Sequence, residues 1–492
     1  MTKALATGVA AAFLTVATIV PAEAQAQTAA AAAPTLDAAA VKAAAKARAA
    51  QVKAWRTQYG PGPYPDEMDG YLATREEKLR EHYRVLYYDG EHNAVLNFER
   101  LGLVAMELGY YADAEKAFDG ALDRIEAFYG KDKQAERATS ATRLEVNKDF
   151  KGEPYERAMA YYYRGLLYLR KGDYDNARAS FKAAEYQDTI SAEESFQSDF
   201  GLLTYLQGWA SQCAGDKSQA ADAYDAATKI DAKLKAPGAA DNVLVIAETG
   251  NGPVKATDGQ YQEKMVFRPG QGFPENGALV TLGSGKTTRA WPLTPAADIY
   301  TQASTRGGRA IDGVLNGKAQ FRSGLETTSM LATTVGTSFA QQMGGNSLYM
   351  QGAGALIGML SKSVRPTADV RMWDSLPATI HVGTTNWARA SAPPAPKGRK
   401  PAPKRGTTAV ANTAWAMPSA SMVWRKGDEA LDLAGVKPMT ANAGKCGIVW
   451  SRSRSATALS AAAPGDNAKV AAARKNDKAA WAKDEAFRAS LR

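Results

Sequence analysis

One pattern, met three times between residues 98 and 227, limits what this 492-residue chain can fold into. A glycine is followed at fixed offsets by a long side chain, an alanine, a ring and a second alanine. The first copy is Gly109, Tyr111, Ala114, Phe118 and Ala121, preceded by Phe98, Leu101 and Gly102. The second is Gly172, Tyr174, Ala177, Phe181 and Ala184, preceded by Tyr161, Gly165 and Tyr168. The third keeps Gly208, Gly215, Ala220, Tyr224 and Ala227 but has Lys217 where the others have tyrosine. Such spacing predicts antiparallel helix pairs: Gly165 and Ala177 let two helices approach, Gly172 makes the turn, and Phe181 plugs into the next layer.

The pattern resembles the tetratricopeptide repeat. Its turn glycines are 63 and 43 residues apart, where the family has about 34, so inserts are expected near 130–154 and 187–200. The resemblance implies binding of peptides or partner proteins on a concave face. That face would carry Leu96, Glu99, Leu103 and Met106 from the first copy, Tyr162, Leu166, Leu169 and Arg170 from the second, and Leu202, Tyr205 and Trp209 from the third. Met106, Tyr162, Leu166, Arg170, Tyr205 and Trp209 are the chosen groove residues. The lining is mostly apolar and aromatic, which suits an amphipathic helix or an extended apolar peptide. The competing reading makes the same residues core, covered by inserts or by the rest of the chain.

Residues 1–24 read as a secretory signal: Lys3, an apolar run from Gly8 to Val20, Pro21, and small-x-small cleavage patterns at Ala22–Ala24 and Ala24–Ala26. No cysteine lies there to carry a lipid, and the run is too short for a membrane span. Residues 25–63 form an Ala-rich, then Pro/Gly-bearing linker, and the repeats occupy 64–236. Cys213 and Cys446, 233 positions apart, make a poor disulfide framework and are expected to be free, buried thiols.

Composition changes after Lys235-Ala236-Pro237-Gly238, and residues 237–390 read as a β-containing module with buried helices. Val243–Ala247, the turn Asn251-Gly252-Pro253 and the return strand Gln262–Phe267 suggest a hairpin. Residues 299–322 suggest strand, turn and helix, the uncharged stretch Thr327–Ser361 suggests two buried helices, and Thr379–Val382 a strand. This order, with Lys151–Arg157 and the Trp373/Leu376-Pro377 segment, resembles an uncharacterised family of bacterial envelope proteins. Its members are commonly lipoproteins, often encoded beside small envelope lipoproteins and activators of penicillin-binding proteins. It brings no catalytic residue to this chain.

Residues 391–407 are a Pro/Lys-rich, extended loop. Residues 408–465 hold candidate strands at Met422–Trp424 and Gly447–Trp450, and 466–492 form a charged tail read as a solvated helix or frayed end. Residues 391–492 hold 18 Lys/Arg against 7 Asp/Glu, whereas the preceding 390 residues sum to a net charge of −2. A basic tail on a near-neutral body argues against a nucleic-acid-binding fold and for weak contact with anionic lipid or wall polymer.

The motifs of small-molecule chemistry are weak. Gly283–Thr288 imitates the end of a phosphate loop, but Val280 stands where its first glycine belongs and Pro292 blocks the following helix, so it reads as a turn between strands. Gly352, Gly354 and Gly358 lack a βαβ context. The three histidines, His82, His92 and His381, have no metal-ligand spacing, and no cofactor is expected. The reading is an α+β protein, a tetratricopeptide-like helical array followed by a β-containing module. It is placed in the periplasm, free or peripherally attached to the outer membrane, as a non-catalytic scaffold or adaptor for envelope proteins or peptides. The alternatives are a cell-wall-acting hydrolase and a structural part of a secretion or motility machine.

Overall fold

The computed structural model describes residues 38–59, 65–129, 149–188, 199–258, 264–305, 369–387, 416–457 and 476–492. The signal segment, Thr327–Ser361, the Gly352–Gly358 motif and the 391–407 loop lie outside the described residues. The chain divides into two units, 1–54 and 55–492. Of the first, the described part is an Ala-rich, largely exposed helix, α1 (Ala38–Tyr59), which runs past the boundary; alanine's high helix propensity suits it to stand without a packed face.

The second unit begins with α2 (Pro65–Ala73) and α3 (Arg80–Asp89). Three helix pairs follow: α4 (Ala94–Leu108) with α5 (Tyr111–Tyr129), α6 (Pro154–Lys171) with α7 (Tyr174–Asp188), and α8 (Gly201–Ala214) with α9 (Lys217–Ile230). Within each pair the helices pack together, and α5 lies on α6 and α7 on α8, so the pairs stack. Gly109, Gly172 and Gly215 cap the first helix of each pair in the left-handed region, with φ of 84°, 75° and 98°, where a Cβ is disfavoured. Seven residues upstream, a second glycine makes room for the ring of the same copy. A Cβ on Gly102 would stand 2.9 Å from Phe118 and one on Gly208 2.7 Å from Tyr224, and Gly165 is closed in the same way by Phe181. Phe181 therefore seals its own pair rather than entering the next layer, because the glycine that accommodates it belongs to its partner helix.

Among the described residues the strand-bearing part forms two stacked sheets and a separate two-stranded hairpin. The larger has the order β10 (Met439–Ala443), β11 (Cys446–Arg452), β1 (Val243–Thr249), β7 (Thr379–Thr385), β6 (Thr294–Asp298). The smaller has the order β5 (Arg289–Pro292), β4 (Gly277–Leu282), β8 (Ala420–Lys426), β9 (Glu429–Leu431). All of β1 is buried, and its pleat serves two cores. Leu244 and Ile246 face the helices, while Val243, Val245 and Ala247 face the smaller sheet with Val280, Leu282 and Trp424. This alternation is what period-two geometry requires of a central strand covered on both faces.

Several strand expectations need correction. β1 does not fold back on the next strand: it pairs parallel with β11 and antiparallel with β7, whereas β2 (Val254–Asp258) and β3 (Lys264–Arg268) form their own hairpin. A strand buried on both faces needs a neighbour on each side, and 379–385 and 446–452 provide them. Residues 299–304 are a helix, α10, not a strand. Gly285–Thr287 is a single 3₁₀ turn between β4 and β5, as the sequence suggests. The tail forms α11 (Lys478–Leu491) but is not merely solvated: Phe487 is buried edge-on against Phe98, and Arg488 donates to the carbonyls of Tyr87 and Tyr88. Among the described residues no helix is long and apolar enough to cross a membrane.

Candidate functional site

The residues assigned to the concave face do come together, but not around an open groove. Met106, Tyr162, Leu166, Tyr205 and Trp209 are none of them more than 3% exposed, and they share one core with Leu244, Ile246, Ile380, Ile448 and Trp450 of the larger sheet. Arg170 is partly buried and lies over the Tyr111 ring, 3.6 Å from its centroid. The helix-facing side of the sheet thus fills the expected groove, and of the two readings of this lining the core reading holds. The reason is stoichiometric: β1 and β11 bring apolar side chains that need a cover, and the helices present a matching apolar face.

At the centre of this interface lies a buried charge network. Glu248 accepts from the hydroxyls of Tyr162 (3.1 Å) and Tyr163 (2.8 Å) and from the indole N–H of Trp450 (2.9 Å). Arg452 places its Nε 3.0 Å from Glu248 and its Nη1 2.6 Å from Glu107, and donates to the Ser375 carbonyl. Glu107 also accepts from Ser455 and from the Ala456 amide. Burial pushes the Glu248 carboxyl up, against the Arg452 charge and the three donors; burial and the Glu248 charge hold both phenols well above their usual range. Both oxygens of Glu248 are engaged by donors, so the carboxylate ties α6 to β1 and β11.

The turn between β10 and β11 docks on the repeat turns. Tyr174, the long side chain of the second copy, donates to the Ala443 carbonyl (2.5 Å) and accepts from the amides of Lys445 and Cys446. Beside it Cys213, at the end of α8, and Cys446, at the start of β11, are joined in a disulfide with their Cα atoms 5.7 Å apart. The expectation of free thiols is overturned, because the packing of helices on sheet brings together residues that sequence distance keeps apart. Replacing both cysteines with serine should lower unfolding stability by about 2–4 kcal/mol; an unchanged urea midpoint would mean that the bond adds nothing to the fold.

A second buried cluster joins α4, α6, β2 and the 369–375 segment. Glu156 accepts from Lys255 (2.9 Å), from the Glu153 amide (2.7 Å) in a capping box, and from the Trp373 amide (2.8 Å). Lys255 also lies 3.5 Å from Glu153 and donates to the Arg371 carbonyl. Asp369 pairs with Arg371, which reaches Asn93 and His92, and Arg100 holds Asp374 and the Met372 carbonyl. Glu99 is fully buried in this cluster, and neither of its carboxyl oxygens has a hydrogen-bond partner.

Among the described residues, no group of three or more His, Cys, Asp and Glu side chains could hold a metal ion. On β7, His381 lies 2.9 Å from the hydroxyl of Thr249 of β1, and burial lowers it to about 4; His82 is lowered to about 4 by burial and then by Arg100. Sequence reasoning placed Glu99 on the concave face but missed the Glu248–Arg452–Glu107 network and Lys255. A charged residue inside a continuous apolar strand, as Glu248 is in Val243–Thr249, was the signal available. Comparison of the chain with profiles of known families, with curated proteins and with solved structures finds no match.

Proposed function

We propose that this chain is a non-catalytic scaffold or adaptor of the bacterial envelope, built on tetratricopeptide-like helix pairs and working in the periplasm, free or peripherally attached to the outer membrane. The observation that carries this reading is the Cys213–Cys446 bond between the helical and strand-bearing parts, since such bonds persist in oxidising compartments. The non-catalytic part is supported by the burial of the carboxylates that converge: Glu99, Glu153, Glu156 and Glu248 are at most 6% exposed. With the concave face occupied by the chain's own sheet, partner contact falls to the outward faces, where Tyr186 on α7 is 66% exposed. Aromatic side chains are common anchors of such contacts.

Affinity isolation of the mature chain from envelope extracts tests the reading. A defined envelope protein recovered with the wild type and lost with a Tyr186→Ala variant supports it. Hydrolysis of purified wall glycan by the mature chain would replace it with the hydrolase reading.

The basic tail adds a weak attraction to anionic lipid or wall polymer. Part of its charge serves the chain itself, since Arg488 is buried and Arg492 holds the Tyr87 hydroxyl. Replacing Lys397, Arg399, Lys400, Lys404 and Arg405 with serine should therefore release the protein from envelope fractions at low salt, where the attraction is strongest; at physiological salt it is screened over about 8 Å. Equal retention of variant and wild type in sedimentation assays would rule this attraction out.

A further inference from the structure

We propose that Glu99 is a proton-operated clasp: its carboxyl keeps its proton while the 149–156 and 369–374 segments are docked on α4, and loss of that proton loosens both. The argument begins with charge balance inside a closed space. Three acids of the cluster, the buried Glu153 and Glu156 and the partly buried Asp369, are matched by three bases, Arg157, Lys255 and Arg371. Glu99 is a fourth acid. Its oxygens find no protein donor, and its Oε1 points toward the turn at Gly152, from which a Cβ would stand 3.9 Å away. A charge placed there without partner or solvent is costly, and the neutral acid is the form that such a site tolerates.

The groups around Glu99 act in both directions. From α6, Glu156 raises it and Arg157 lowers it; from β2, Lys255 lowers it; from its own helix, Arg100 lowers it; burial outweighs them all and holds the carboxyl well above its usual range. The Tyr155 phenol, itself raised by burial, and the Arg371–Asp369 pair complete the charged and titratable surroundings, with His92 against Arg371.

The same side chains hold the two segments. Glu156 takes the Trp373 amide, Lys255 takes the Arg371 carbonyl, Arg157 takes the Gly152 carbonyl, and Arg100, next to Glu99, takes Asp374. A negative charge on Glu99 would repel Glu156 and draw Lys255, Arg157 and Arg100 away from these partners. Because the folded value is raised, the stabilisation is complete below the unfolded value of about 4.3 and is lost as pH rises toward the folded value.

The test compares the full chain with a Glu99→Gln variant, which keeps shape but cannot titrate. In urea unfolding from about pH 4.5 to 8.5, the wild-type folding constant should fall relative to the variant by up to tenfold per pH unit within that window. In hydrogen exchange, corrected for intrinsic rates, the wild type should lose protection first in peptides covering 149–156 and 369–374. Parallel unfolding profiles would overturn the proposal, and so would a loss of protection spread evenly over the fold. If the variant does not fold, infrared spectra of the wild type decide. A protonated-carboxyl band at pH 7 that persists in a Glu248→Gln chain and disappears on unfolding supports the clasp, and its absence overturns it.

Discussion

Replacing Arg452 with alanine should destabilise the folded chain by about 3–5 kcal/mol, the cost of leaving buried charges without their partner. Arg452 is 1% exposed and is the cation between Glu107 and Glu248, so its removal strands two carboxylates at the interface of helices and sheet. The loss should depend on pH with a definite sign. Burial already raises the Glu248 carboxyl against the Arg452 charge, so without the guanidinium it binds its proton more tightly still in the folded state; the destabilisation is largest near neutral pH and shrinks as pH falls into the carboxylate range. An Arg452→Met, Glu248→Gln double variant should recover at least about 1 kcal/mol of the loss, since an amide oxygen at the Oε1 position still accepts from Tyr162 and Trp450, the amide nitrogen can donate to the Tyr163 hydroxyl oxygen, and removing both partners of a pair costs less than removing one. Urea unfolding at several pH values measures both variants against the wild type. A single-variant loss below about 1 kcal/mol would mean that the network is solvated in a way its burial does not suggest.

What the sequence disclosed, and what it did not, follows the range of each interaction. The helix pairs were legible because their determinants are local: Gly109, Gly172 and Gly215 end helices wherever they sit, and Phe118, Phe181 and Tyr224 need a glycine only on the adjoining helix. The strands at 243–249, 379–385 and 446–452 were legible as apolar, β-branched runs, but their partners were not. A hairpin is the cheapest partner by loop closure, and β1 instead pairs with strands more than a hundred residues away. The disulfide failed for the same reason.

The tail failed for another reason. Its charge count points to solvent, yet Trp481, Asp484, Phe487, Arg488 and Leu491 recur at helical spacing, and three of these five are buried. Here periodicity was a better guide than composition.

The candidate groove was the hardest to read, because a peptide-binding face and a core look alike when both are built from Leu, Tyr and Trp. Trp209 is where the two differ in a measurable way. On an open groove its truncation would remove a partner's anchor and leave the fold standing. In this structure Trp209 is 1% exposed, among the largest fully buried side chains, in the core that also holds Phe181 and Ile246. Trp209→Ala should therefore cost about 3–5 kcal/mol, the range expected of Phe181→Ala, because each removes an aromatic side chain whose surroundings relax only partly into the cavity. The two variants should lower the urea midpoint alike, and any partner binding should be lost only in proportion to the unfolded fraction. If Trp209→Ala keeps the wild-type midpoint and loses a partner, the sheet does not cover α8 in solution and the concave face is the binding site after all. If it keeps both, Trp209 contributes less than its burial implies, and partner contact remains with the outward faces that carry Tyr186.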